Sequence, residues 1–330
     1  MKISIIIPNY NNAEYIIRCL NSVSMQSMED IEIIVIDDGS TDDSVTRIKQ
    51  FMENSNHKVK FIEQFNQNAS IARNRGIEVA EGDYLYFIDS DDELFDETIL
   101  EKIYNDIDGY DLLIGNYVRI NEMGQNVALY KINEDRLIDV DSNYKYSLIS
   151  PVPSNKLYKK SVIKDNNLYF SNVRIGQDLN FYLKYLAVCK NIKIVDYDIY
   201  KYRILQNSIS RSINLNILDI YTCFLEIEKY YKINNKLEDF YKYISIAKLI
   251  HYNIQMEKII RMSSGKDKKF VYNFFMYHLR NVDYSKIFKE KNYNELKHKI
   301  IMKRLFKVIY LSTWYPKLKR IIKDRNKTHE

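Results

Sequence analysis

Four acids within five positions, Asp89, Asp91, Asp92 and Glu93, follow directly on the apolar run Tyr84 to Ile88 in "YLYFIDSDDELF". Carboxylates this close repel one another, so they need water, a helix N-terminus or a bound cation as a partner. A second polar cluster, Asp37-Asp38-Gly39-Ser40, follows the run "IEIIVI", and a third, Pro8-Asn9-Tyr10, follows "SIII". Taken alone, either acidic cluster also reads as a strand-to-helix turn in which an Asp or Ser caps the next helix. Two together exceed what capping requires. They favour a divalent cation, Mg²⁺ or Mn²⁺, bound along with an anionic ligand such as a phosphate group.

The elements that must position these clusters alternate. "KISIIIP", "IEIIVID", "KVKFIE" and Tyr84 to Asp89 read as strands, and Glu14 to Met25, Asp42 to Phe51, Ser70 to Ala80 and Glu97 to Ile107 carry helical spacing. Such alternation implies βαβ crossovers and an α/β fold with a mainly parallel sheet covered by helices on both faces. In an open parallel sheet the ligand lies outside the carboxyl ends of the strands, where all three polar clusters fall. Further strands are expected near Leu112 to Ile120 and Ile192 to Tyr202. After about Ser212 the pattern becomes helical, which sets an expected boundary between residues 1–212 and a helical region 213–330.

Several classes are disfavoured. The eight glycines form neither a GxGxxG nor a GxxxxGK[ST] pattern, which argues against dinucleotide binding and P-loop chemistry. Cys19, Cys189 and Cys223 are widely spaced, suggesting neither a disulfide framework nor a zinc site and pointing to a reducing, cytoplasmic compartment. No cleavable leader or membrane-spanning run is expected. The net charge of +5 is a property of one end, since Lys291 to Glu330 holds twelve lysines and arginines against three acids.

The segments "SIIIPNYNN", "VIDDGSTDDS", "NQNASIARNRG" and "GDYLYFIDSDD", in that order, resemble the successive signatures of glycosyltransferase family 2, nucleotide-sugar-dependent enzymes of GT-A fold. "SNKLYKKSVI" and "GQDLNFYLKYL" resemble later motifs, with Gln177 where the family usually has Glu before the Asp. The resemblance implies an inverting transfer from a UDP-sugar to a hydroxyl of a glycan or an undecaprenyl-diphosphate-linked acceptor, in cell-surface polysaccharide synthesis. It implies that Asp38 accepts the uracil N3 hydrogen between Pro8 and Tyr10, and that Arg73 orders this pocket or faces nucleotide charge. Asp89-Ser90-Asp91 would be the DxD run, Asp89 toward the ribose and Asp91 on the metal. Asp178 would be the base, and Arg203 and Ser208 would belong to a loop closing over the diphosphate. From the residues alone, Asp178 reads first as a helix cap, an order that only the resemblance reverses, and Arg73 reads equally as an ordinary helix-surface residue.

Residues 299–327 have a basic amphipathic pattern that suits either peripheral contact with an anionic membrane surface or packing on the chain's own domain. Two other classes were weighed. A sugar-nucleotide pyrophosphorylase would carry a Gly-rich loop where this chain has "PNYNNAEY", and a nucleic-acid-binding protein leaves the acidic clusters without a role. No nucleic-acid partner is expected.

Overall fold

The computed structural model describes residues 1–132, 146–147, 149–205, 215–261 and 266–280. Nine strands form one sheet: β1 (Ile3–Asn9), β2 (Ile31–Asp37), β3 (Lys58–Glu63), β4 (Tyr84–Phe87), β5 (Glu93–Leu94), β6 (Leu112–Ile120), β7 (Asn126–Tyr130), β8 (Lys156–Lys159) and β9 (Ile192–Arg203). Their order is β3-β2-β1-β4-β8-β6-β9-β5, with β7 paired to β6. The first four are parallel, as the alternation predicts. From β8 onward the sheet is mixed: β8 runs antiparallel to both β4 and β6, while β9 is parallel to β6. Because β8 opposes both of its neighbours, the long strands β6 and β9 run in the same direction as β1–β4, so the sheet is mainly parallel as expected, with the short β5, β7 and β8 running against it.

Strands β1 and β2 are buried on both faces, which their continuous Ile/Val composition requires. Side-chain parity divides the core in two. Ile5, Ile7, Ile33 and Val35 pack with α1 (Ile16–Ser24) and α4 (Ile99–Asp106), and α2 (Ser44–Asn54) adds Ile48. Ile6, Ile34, Ile36 and Phe87 pack on the opposite face with α3 (Ala69–Val79) and α6 (Gln177–Val188); α5 (Lys160–Asp165) contributes Ile163. This second core continues without a break into α7 (Asp219–Ile233), α8 (Leu237–Arg261) and α9 (Lys266–Arg280) through Ile220, Phe224, Ile244 and Phe275.

The chain leaves β1 toward β2 and β3 on one side and reaches β4 on the other, so the direction reverses between β1 and β4. That is the switch point where an α/β sheet opens a crevice. Pro8 marks it. The residue lies inside β1, opposite Ile36, in keeping with the reading of "KISIIIP" as a strand. It shares a side with Ile6, whose C=O accepts from the Ile88 N–H at 3.1 Å, but β4 ends at Phe87. The donor that proline lacks would point where no strand remains to receive it.

Candidate functional site

The acidic turn is closed by the Asp92 N–H donating to the Asp89 C=O at 3.0 Å, which folds the two carboxylates back toward each other. Oxygens of Asp89, Asp91 and Asp92 all lie within 4.8 Å of one another. Burial, then the charge of Asp89, pushes the Asp91 carboxyl up to about 6, and burial with Asp91 and Asp89 pushes Asp92 well above the carboxylate range. Asp92 Oδ1 accepts from the Arg203 N–H at 2.8 Å, while its buried Oδ2 has no hydrogen-bond partner. An orphaned buried carboxylate oxygen in a cluster of like charges calls for a counter-ion. The three residues suit a divalent cation in both ligand type and mutual distance.

Across the crevice stands Arg73, buried on α3. Its guanidinium donates to Asp89 Oδ1 at 2.5 Å and to Asp178 Oδ1 at 3.3 Å and lies 5.2 Å from the Phe170 ring centre. Burial works against its charge, but Asp89 and Asp178 outweigh that and raise its pKa. It is no surface residue. Two features of the sequence bring α3 this close. Asn68 takes a positive φ of 87° and caps the helix, its side chain accepting from the Ser70 N–H at 2.9 Å. One turn beyond Arg73, a Cβ on Gly76 would stand 2.4 Å from Ile6 Cγ2, so only glycine allows this contact with β1.

Asp178 lies in the first turn of α6, after Gly176 at φ 92°, and caps nothing. Burial and Asp89 raise its pKa against the pull of Arg73 and Lys156. Gln177, in place of the family's usual Glu, accepts a hydrogen bond from the Ser70 hydroxyl and so ties α6 to α3.

The second polar cluster is largely spent on its own chain. Asp38 accepts from Gln64 Nε2 at 2.7 Å and from the Gln67 and Asn68 N–H groups at 2.8 and 2.7 Å, fixing the loop that leads to the Asn68 cap. Asp37 accepts from Asn9 Nδ2 at 2.8 Å and from the Ser40 N–H at 2.8 Å. Tyr10 is 49% exposed at the rim beyond buried Pro8. Ser90 accepts from Asn12 Nδ2 at 2.8 Å, joining the acidic turn to the loop before α1.

Arg203 departs from the expected loop position. It is the last residue of β9, 1% exposed, and its Nε donates to the Asp91 C=O at 2.9 Å. Its other nitrogens reach the Asn121 and Glu122 carbonyls, at 3.2 and 3.0 Å, and the Glu93 carboxylate. It braces the acidic turn through these contacts. Ser208 and residues 299–327 lie outside the described residues.

Two residues that the sequence reading passed over belong to the site. Asp92 was seen in the cluster but given no role. Lys156 is fully buried and donates to the Ser150 and Val152 carbonyls and to Asn155 Oδ1, each at 2.7 Å. Its Nζ sits 4.5 Å from the Tyr182 ring centre, and burial pushes its pKa well down against the opposing charge of Asp178. No alternation in "SNKLY" signals this, since all five of its residues are buried.

Comparison with known proteins adds the following. The model of the family described as Glycosyl transferase family 2 matches residues 4–166. The chain is similar to glycosyltransferase GlyG of Streptococcus pneumoniae serotype 4, 31% identical over 224 residues that make up 64% of this chain and 73% of GlyG. It is similar to TarP of Staphylococcus aureus, named a poly(ribitol-phosphate) beta-N-acetylglucosaminyltransferase, at 33% identity over 60% of this chain and 62% of TarP. Against GlyA of the same Streptococcus it spans only 32% of the relative's length. In fold it is similar to S. aureus TarS 1–349 solved with UDP-GlcNAc, with TM-score 0.55 at 20% identity over 96% of this chain and 92% of that one. Among the described residues no helix is long and apolar enough to cross a membrane.

Proposed function

The chain belongs to glycosyltransferase family 2, and from that premise we propose that it transfers a sugar from a UDP-sugar, with inversion and with Mn²⁺ or Mg²⁺, to a hydroxyl of a glycan or lipid-linked acceptor. The observation that carries this reading is the placement of the Asp89-Asp91-Asp92 cluster across a single buried arginine from Asp178. The pairing of a cation-type cluster with a separate half-buried carboxylate supplies both functions a single displacement needs.

Asp91 would hold the cation, with Asp89 and Asp92 in reach of it, and the bound ion would offset charge on the leaving diphosphate. The nucleotide would enter over the carboxyl ends of β1 and β2. Exposed Tyr10 can cover the base, and Asp38 shapes the floor through the 64–68 loop and offers its carboxylate to the base edge. Asp178 takes the proton of the acceptor hydroxyl as that oxygen attacks the anomeric carbon from the face opposite the diphosphate. Burial first, and the charge of Asp89, raise its pKa, which makes it a stronger base than a solvated Asp. Arg73 fixes that carboxylate's position relative to the acidic turn by bonding to both.

The names of TarP and of the TarS complex support a UDP-N-acetylhexosamine, within the wider class of UDP-hexoses, as donor and a polymer as acceptor. A lipid-linked or wall-polymer acceptor would bring the enzyme to the inner face of the plasma membrane, with residues 299–327 as peripheral contact. The test is release of UDP from a panel of UDP-sugars in the presence of Mn²⁺ and candidate glycans. Transfer from one UDP-sugar, lost on chelation and in Asp91→Asn, is the expected result; activity indifferent to both would sink the metal assignment.

A further inference from the structure

Beside the acidic turn, the sheet carries an aromatic and cationic face that the reaction described above does not use. Register sets Tyr117 of β6 opposite Tyr130 of β7 and Tyr200 of β9. The rings follow the register: Tyr117 stacks on Tyr130 with centroids 4.5 Å apart and planes 15° apart, and lies 5.1 Å from Tyr200. One pleat further, Arg119 stands between Ala128 and Tyr202. Its guanidinium is 6.0 Å from the centre of the Tyr117 ring, and Tyr202 meets Tyr117 edge-on at 6.2 Å. The first row is the more deeply covered, with Tyr117 and Tyr200 buried; in the second Arg119 is exposed and Tyr202 half-buried.

This face adjoins the site. Tyr202 lies between Lys201, which pairs with Glu93, and Arg203, whose N–H donates to Asp92. In the strand order, β1 and β2 lie on one side of β4 and β6 and β9 on the other. A nucleotide over β1 and β2 therefore leaves the β6–β9 side of the acidic turn for the second substrate.

We propose that the Tyr117–Arg119–Tyr202 face binds the acceptor, and that this acceptor is an anionic polyhydroxylated chain bearing phosphate or carboxylate groups. The aromatic rings offer a flat apolar surface with hydroxyl tips, suited to the C–H faces and hydroxyls of a sugar or polyol. An exposed guanidinium held over a ring offers a fork that fits carboxylate or phosphate oxygens two at a time. A neutral chain would use the rings but leave that charge unmatched. The inference rests on the transferase reading above and adds the class of acceptor to it.

The test titrates the full chain, with Mn²⁺ and UDP present, with a synthetic polyol-phosphate hexamer, a hexagalacturonate and neutral maltohexaose. The same titrations are made on Arg119→Ala, Arg119→Lys and Tyr202→Ala, with UDP binding and thermal melting recorded for each. One anionic oligomer should bind, and which one distinguishes phosphate from carboxylate. Arg119→Ala should weaken it about tenfold or more, the loss of a charge-assisted hydrogen bond, and Arg119→Lys by less. Tyr202→Ala should weaken both the anionic binding and any residual neutral binding, and UDP affinity should be unchanged in all three. Binding of UDP with no anionic oligomer bound, or with affinity indifferent to Arg119, would overturn this inference while leaving the transferase reading intact. Failure of the unaltered chain to bind UDP would overturn the reading on which it rests.

Discussion

One guanidinium shared by two carboxylates sets the geometry of this site, because Arg73 is the sole described link between the acidic turn and Asp178. Replacing Asp178 by Asn keeps the size and one hydrogen-bond acceptor but removes the base. Transfer should fall by about 10²-fold or more with UDP affinity unchanged, measured by initial rates and titration. Arg73→Met removes the link itself. Asp89 and Asp178 are 38% and 31% exposed, so water recovers part of what they lose, and stability should drop by about 1 to 3 kcal/mol rather than the full cost of an orphaned buried ion. Arg73→Lys should not restore transfer, since one ammonium lacks the fork that spans both partners. These residues were unequally legible. Asp89, Asp91 and Asp178 announce themselves by clustering or by motif. Arg73 reads as readily as a surface arginine, because its burial depends on Gly76 and Asn68 acting at a distance on the packing of α3. The setting of Arg203 was not legible either, because the carbonyls that hold it come from segments about 80 to 110 residues away, whereas Lys156 is held by carbonyls only four and six residues before it, on a turn whose path the sequence does not announce.

At the scale of elements, two contacts fix the strand and helix that flank the site. Glu32, buried near the start of β2, accepts from the Ser4 hydroxyl at 2.5 Å and the Glu81 N–H at 2.6 Å and pairs with Lys60 at 2.9 Å. It thereby pins the turn that feeds β4 and the acidic residues. Burial works against this carboxylate, but Ser4, the Glu81 N–H and Lys60 outweigh it and hold it below its ordinary 4.5. A depressed folded-state pKa contributes stability above the unfolded value that is lost as pH falls through the folded one. Glu32→Gln should therefore cost about 2 to 4 kcal/mol at pH 7, and denaturant titrations should show that difference shrinking below about pH 4.5. Gly76→Ala is the matching test for α3. Alanine favours a helix by up to about 1 kcal/mol, but overpacking against Ile6 at 2.4 Å costs about 1 to 3 kcal/mol. The balance should be net destabilisation, and the displaced Arg73 should carry transfer down with it. The alternation of strands and helices over the first hundred residues is legible because the β-branched runs of β1 and β2 are buried on both faces. The antiparallel insertion of β8 is not, since four residues of "KLYK" carry no direction.

Across the whole molecule, the expected boundary near residue 212 marks a change of architecture without a change of core. Phe181 and Leu183 of α6 share one apolar cluster with Ile220, Phe224 and Phe275 from beyond it, and a Cβ on Gly176, beside the proposed base, would meet Ile220 at 2.8 Å. A fragment ending at residue 212 should therefore be poorly soluble and melt well below the full chain, with the α6 face exposed. Independent, reversible unfolding of that fragment would show instead that the helical region is an appendage. The central claim concerns the ligand for which all these elements converge. Calorimetric titration of the full chain with UDP, with and without Mn²⁺ and against GDP and ADP, addresses it most directly. The account predicts binding of UDP alone, dependent on the metal and abolished in Asp91→Asn; metal-independent binding, or no preference for UDP over GDP and ADP, would contradict it.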